Sequence, residues 1–175
     1  RVDRQTRLYH PVGSERDDLA SARLLGDRLG EAIELNPRIV PTPRYVNRHV
    51  LFLGRDPAFD IPLDFVPDHP EGYGLRVDSR GVLLVANTPA GLFYAVQTLA
   101  QVLRLRRRGG RTLPGVTIRD WPAMRHRAVM VDVARQVERT DYLIEYIDRI
   151  AHYKKNMFVL YFEDKFRWAS HPEVS

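Results

Sequence analysis

Two groups in the stretch VMVDVARQ, residues 129–136, bring chemistry that an apolar run does not need for packing: the Asp132 carboxylate and the Arg135 guanidinium. A third, Asp164, stands just past a second apolar run, MFVLYF, residues 157–162. Charged groups are costly to bury without partners, so their placement in and beside such runs carries information. If both runs are parallel strands, Arg135 and Asp164 lie just beyond the C-terminal ends of those strands, on one edge of the sheet. That edge is where barrels and open parallel sheets bind ligands. Two polar groups on that edge make a candidate site. The competing reading is that the two simply pair with each other or with solvent. Asp132, inside the strand, reads as structural, taking hydrogen bonds from its neighbours or from a nearby arginine such as Arg127.

The elements that must position these groups follow from periodicity. An apolar strand over 128–133, an amphipathic helix over about 140–154 with Leu143, Ile147, Ile150 and Ala151 inward, and a strand over 157–162 form a β-α-β unit. Its near-continuous apolar strands predict parallel pairing, burial on both faces and a right-handed crossover. Upstream, Leu19, Ala22, Leu25, Leu29 and Ile33 recur at helical spacing, with Ser14 or Asp17 as the cap. The three prolines of NPRIVPTPRY argue against regular structure, HVLFLG reads as a short buried strand, and residues 55–70 read as a loop. YGLRVDSRGVLLVA is a β-hairpin turning at Gly81, and NTPAGLFYAVQTLAQVL is a helix with a Thr88 cap and Pro89 at its first position. GVTIRD is strand-like, and Trp121-Pro122 ends it. The expected organisation is an α+β domain over 1–120, a mostly antiparallel sheet with two helices on one face and the other face solvated or covered by another domain. A second domain begins at 121 and runs to 175.

Composition narrows the function classes. In 175 residues, 44% hydrophobic and 28% charged, no apolar stretch reaches the length of a membrane span. The chain has no cysteine, which removes disulfides, thiolate metal sites and a thiol nucleophile together. The six histidines lack metal-ligand spacing, so neither a metal nor a cofactor is expected. The start at Arg1, without Met or an apolar leader, suggests a trimmed piece or a processed product, and leaves localisation open. Of the formal charge of +5, residues 104–127 carry +7 and the rest −2. RLRRRGGR has no interleaved aromatics and follows a helical pattern. It reads as a solvated helix end rather than a nucleic-acid site.

EGYGLRV, GVLLVANTPAGLFYAVQTLAQVL, PGVTIRDWPAMRHR, VMVDVARQ and YIDRIAHYKKN follow, in order and spacing, a known pattern. Over roughly residues 71–164 the chain resembles glycoside hydrolase family 20, the β-N-acetylhexosaminidases. The resemblance implies a small accessory domain followed by the first β-α-β unit of a (β/α)8 TIM barrel. It puts Arg135 in the place of the arginine that holds vicinal hydroxyls of the terminal sugar, and Asp164 in the network around the acetamido group. It further implies a retaining, substrate-assisted reaction on glycans bearing N-acetylhexosamine. There an adjacent Asp-Glu pair, after barrel strand four, orients the acetamide and exchanges the proton. That pair is expected beyond this chain, with no catalytic residue inside it and the piece alone inactive. Tyr161, Trp168 and His171 are candidates for the sugar pocket, since aromatic faces suit a pyranose ring. The chain departs from the family pattern at Val159, Leu160 and Tyr161, at Glu163-Asp164-Lys165-Phe166, at Gln136 and at Ala128.

Other readings are a non-catalytic carbohydrate-binding or scaffold protein of the same fold, and a hydrolase of another class sharing the accessory domain. A nucleic-acid binder ranks below them, and no membrane partner is expected. The two apolar strands of an unclosed barrel would expose faces that further chain should bury, which predicts self-association of the piece.

Overall fold

The computed structural model describes residues 7–11, 16–33, 38–42, 50–54, 65–79, 81–105, 112–135, 138–163 and 169–174. The chain divides into two compact units, Arg1–Ala123 and Met124–Ser175.

The first unit is built on a six-stranded sheet. Its strands are β1 (Arg7–Pro11), β2 (Arg38–Thr42), β3 (Val50–Gly54), β4 (Tyr73–Asp78), β5 (Gly81–Ala86) and β6 (Val116–Asp120), in the order β2-β1-β3-β5-β4-β6. The sheet is mixed, which corrects the expectation of a mostly antiparallel one. β1 runs parallel to both β2 and β3, and β3 runs parallel to β5. Only β4 pairs antiparallel, with β5 and with β6. The physical reason is the helix α1 (Arg16–Ile33), which separates β1 from β2 and makes them a crossover pair rather than a hairpin. The proline-rich link also holds a strand after all: Pro41 lies in β2, an edge strand, where a missing N–H costs no ladder bond on the open side.

Helix α2 (Pro89–Leu105) packs with α1 and against β4 and β5. Leu92, Ala95, Val96, Leu99 and Leu103 meet Ala22, Leu25 and Leu29 of α1 and the sheet residues Tyr73, Leu75, Val82 and Leu84 in one core. The Thr88 hydroxyl accepts the Gly91 N–H at 3.1 Å, so the expected cap is present. Gly81, paired with Asp78 at the start of β5, has φ 153°, a backbone conformation that glycine adopts readily, and its N–H donates to Asp78 Oδ1. The second sheet face is not left to solvent: Leu83 and Val85 are buried there. Phe65 lies so close to Gly74 that a Cβ would come within 2.5 Å of its ring, and the Arg76 guanidinium stands over the same ring.

At the end of β6 the Tyr73 hydroxyl donates to Asp120 Oδ2 at 2.7 Å and shares a hydrogen bond with Thr98. Burial pushes this hydroxyl well above the usual phenol range. The Thr98 bond opposes that, and the Asp120 carboxylate adds to it.

The second unit holds β7 (Ala128–Asp132), α3 (Thr140–His152), β8 (Met157–Tyr161) and a single 3-10 turn, Pro172–Val174. β7 and β8 pair parallel, Ala128 opposite Met157 and Asp132 opposite Tyr161, with the Val133 N–H donating to the Tyr161 carbonyl. Burial differs from the expected two-sided pattern. Val129, Val131 and Phe158 are half-buried on the face where Phe158 meets Tyr146 of α3. Met130, 63% exposed, and Met157 lie on the opposite face, open to solvent. On α3 the inward residues are Leu143, Tyr146, Ile150 and Ala151, whereas Ile147, expected inward, is exposed beside Ile144.

Candidate functional site

Because β7 and β8 are in register through Asp132 and Tyr161, both strands end at one level and their outgoing loops leave from one edge. Alternate strand residues share a face. Asp132 and Tyr161 are therefore side by side on the face that carries Met130, away from α3. Tyr161 is 42% exposed there.

The chain turns over Val133 to Arg135 immediately after β7, and Asp132 shapes that turn. Its Oδ1 accepts the N–H of Ala134 at 3.0 Å and of Arg135 at 3.3 Å. Its Oδ2 lies 3.5 Å from Arg135 Nε. The Arg135 side chain is 82% exposed and the Asp132 side chain 34%. One carboxylate thus holds both the backbone and the side chain of the arginine, and engages it on the Nε side.

Arg127 does not reach Asp132, contrary to the alternative drawn from sequence. It precedes β7 while Asp132 ends it, a separation of roughly 16 Å along an extended strand. Arg127 instead donates from Nε to the Lys154 carbonyl at 2.8 Å and from Nη1 to the Met124 carbonyl at 2.8 Å. Asn156 completes this clamp: its Oδ1 accepts the Arg127 N–H at 2.9 Å and its Nδ2 donates to the Arg125 carbonyl at 2.7 Å. These bonds tie the entry of β7 to the entry of β8, the edge opposite Arg135. Sequence reasoning missed Asn156. The only signal was a lone amide directly before an apolar strand.

Arg139, on the same β7–α3 connection as Arg135, is a weaker candidate. Its guanidinium grips Asp141 in the first turn of α3 with Nε on Oδ1 and Nη2 on Oδ2. That pairing, with the Tyr142 N–H, holds the Asp141 carboxyl below its usual range. Arg135 keeps its two terminal amino groups without an ion-pair partner among the described residues.

Asp164 and Trp168, and with them any pairing of Asp164 with Arg135, lie outside the described residues. His171 is exposed in the closing segment, its Nδ1 3.0 Å from Ser170 Oγ. Among the described residues no group of three or more His, Asp or Glu could hold a metal ion, and no helix is long and apolar enough to cross a membrane. The chemistry on offer is a cation with a planar donor fork, a carboxylate that holds it and an aromatic ring at the same strand edge. This suits a neutral, hydroxyl-rich ligand.

Residues 3–121 match the profile described as glycosyl hydrolase family 20, domain 2, and residues 124–172 match glycosyl hydrolase family 20, catalytic domain. A beta-hexosaminidase of Porphyromonas gingivalis is 31% identical over 153 residues, which is 84% of this chain and 19% of that protein. The N,N'-diacetylchitobiase of Vibrio harveyi is 32% identical over 110 residues, 62% of this chain and 12% of that one. The chain therefore spans less than a fifth of either relative. Among solved structures, a beta-N-acetylhexosaminidase from Streptomyces coelicolor superposes with TM-score 0.71 at 27% identity, over 99% of this chain and 34% of that one. A substituted Streptomyces plicatus beta-hexosaminidase in complex with its product GlcNAc gives 0.70 at 29% identity, over 99% and 34%.

Proposed function

Because this chain belongs to glycosyl hydrolase family 20, we propose that the protein it forms part of removes terminal N-acetylhexosamine from glycans or glycoconjugates. The observation that carries the reading to a residue is Arg135, placed at the C-terminal edge of a parallel strand pair with its terminal amino groups open to a ligand. Residues 1–120 are the accessory domain in this reading, and 121–175 open a (β/α)8 barrel. The exposed Met130, Met157, Ile144 and Ile147 are then surfaces against which further strands and helices pack.

Arg135 grips the terminal sugar by its vicinal hydroxyls, a task that a fixed donor fork performs better than a flexible ammonium. Asp164 joins the polar network around the acetamido group, and Tyr161, Trp168 and His171 line the pocket. Bond cleavage belongs to an adjacent Asp-Glu pair, and no Asp-Glu dipeptide occurs in this sequence. The 2-acetamido oxygen attacks the anomeric carbon in place of an enzyme nucleophile while the glutamic acid protonates the leaving oxygen. Water then opens the cyclic intermediate, with the glutamate as base.

The test is turnover by the full-length protein of two chromogenic β-glucosides that differ only at C2. The 2-acetamido substrate should be hydrolysed, and the 2-hydroxy analogue should be slower by several orders of magnitude, since it lacks the internal nucleophile. Equal rates on both would overturn the substrate-assisted reading, and no turnover of the 2-acetamido substrate would overturn the activity itself.

A further inference from the structure

We propose that Asp132 is a positioning residue for sugar binding, setting the reach and direction of Arg135. This rests on the reading of Arg135 as the sugar-binding arginine. Three observations carry the step. Asp132 is the last residue of β7, paired in register with Tyr161, so its Cα is fixed by the strand ladder rather than by the loop. Its Oδ1 accepts the amide N–H groups of both Ala134 and Arg135, which fixes the path of the backbone out of the strand. Its Oδ2 stands 3.5 Å from Arg135 Nε.

The division of labour between the two oxygens gives the arrangement its function. Held from the Nε side, a guanidinium keeps Nη1 and Nη2 for an outside partner, and two parallel N–H donors match a pair of adjacent hydroxyls. An arginine on an exposed turn samples many rotamers, and each one lost on binding weakens the complex. A carboxylate that restrains both turn and side chain pre-orders the group. Arg139, already paired through Nε and Nη2 with Asp141, shows the contrasting arrangement, in which the fork itself is occupied.

The experiment is steady-state hydrolysis of p-nitrophenyl N-acetyl-β-D-glucosaminide by the full-length protein and its variants. Asp132→Asn keeps an Oδ1 acceptor for the two amides and removes the charge on Nε. It should raise KM about twofold to fivefold, as expected for a partly exposed ion pair, with kcat within about twofold. Asp132→Ala, which also removes the amide acceptor, should raise KM further. In an Arg135→Ala background the Asp132→Asn change should leave KM unaltered, because the group it positions is gone. A rise in KM of the same size with and without Arg135 would overturn the proposal, as would an unchanged KM for Asp132→Asn where Arg135→Ala alone raises it. If Arg135→Ala leaves KM unchanged, the sugar-binding assignment falls and the positioning role falls with it. Should Asp132→Ala fail to fold, the Asn variant and its double mutant still decide the matter.

Discussion

Lys154 is the one described non-glycine residue with a positive φ, 58°. It closes α3 in a Schellman arrangement: the Lys154 N–H donates to the Ala151 carbonyl and the Lys155 N–H to the Ile150 carbonyl. A left-handed L-residue costs roughly 1–2 kcal/mol, part of which a glycine returns as greater freedom when unfolded. Lys154→Gly should therefore stabilise the second unit by about 0.5–1 kcal/mol, seen as a higher denaturant midpoint; a lower midpoint would show that the lysine side chain matters more than its backbone. Tyr73 makes the opposite point. Its hydroxyl is kept protonated in the fold beyond its ordinary value of 10.0, so the stability it contributes is complete below pH 10 and declines as pH rises above it. The slope should be at most about 1.4 kcal/mol per pH unit from this group. Tyr73→Phe should cost about 1–3 kcal/mol at neutral pH, since it removes the hydroxyl's hydrogen bonds with Thr98 and Asp120, and should flatten the alkaline decline. An unchanged decline in that variant would assign the titration elsewhere.

At the scale of elements, what the sequence made legible was local. The β4–β5 hairpin and α2 announce themselves by period-2 and 3.6 patterns, a turn glycine and a capped proline start, and each appears as read. β1 and β2 were missed because five-residue strands carrying prolines offer little period to read, and their parallel pairing depends on contacts across α1. On α3, Ile147 was assigned inward by its helical spacing from Leu143 and Ile150. Tyr146 took that role by packing its ring on Phe158, which no spacing rule distinguishes from the isoleucine beside it. Of the two readings of Asp132, hydrogen bonds from its neighbours hold, and Arg127 does not serve because it stands at the other end of the strand. The bonds that Arg127 and Asn156 make instead give a prediction at this scale. Asn156→Ala removes two hydrogen bonds joining the entries of β7 and β8 and should destabilise that strand pair by about 1–3 kcal/mol, measurable as faster amide exchange in β7 and β8. Unaltered protection there would show the clamp to be dispensable.

For the whole molecule, the two units present different surfaces. Among the described residues, the first buries most of its apolar side chains, the larger part in a continuous core between sheet and helices. In the second, Met130, Ile144, Ile147, Tyr153 and Phe162 are exposed, and Ile150 is its one buried apolar residue among those described. An apolar surface of that kind drives association when nothing covers it. The 175-residue chain by itself should sediment as a self-associating species and bind a hydrophobic dye; a dilute, dye-free monomer would contradict this. Arg135 is the group proposed to hold the sugar, and one substitution tests that role directly. In the full-length protein, Arg135→Ala should lose charge-assisted hydrogen bonds worth about 1.5–3 kcal/mol. On a chromogenic N-acetylglucosaminide KM should then rise roughly tenfold to a hundredfold, at about 1.4 kcal/mol per tenfold, with the larger effect on KM rather than kcat. An Arg135→Ala enzyme with wild-type KM and kcat would contradict the account.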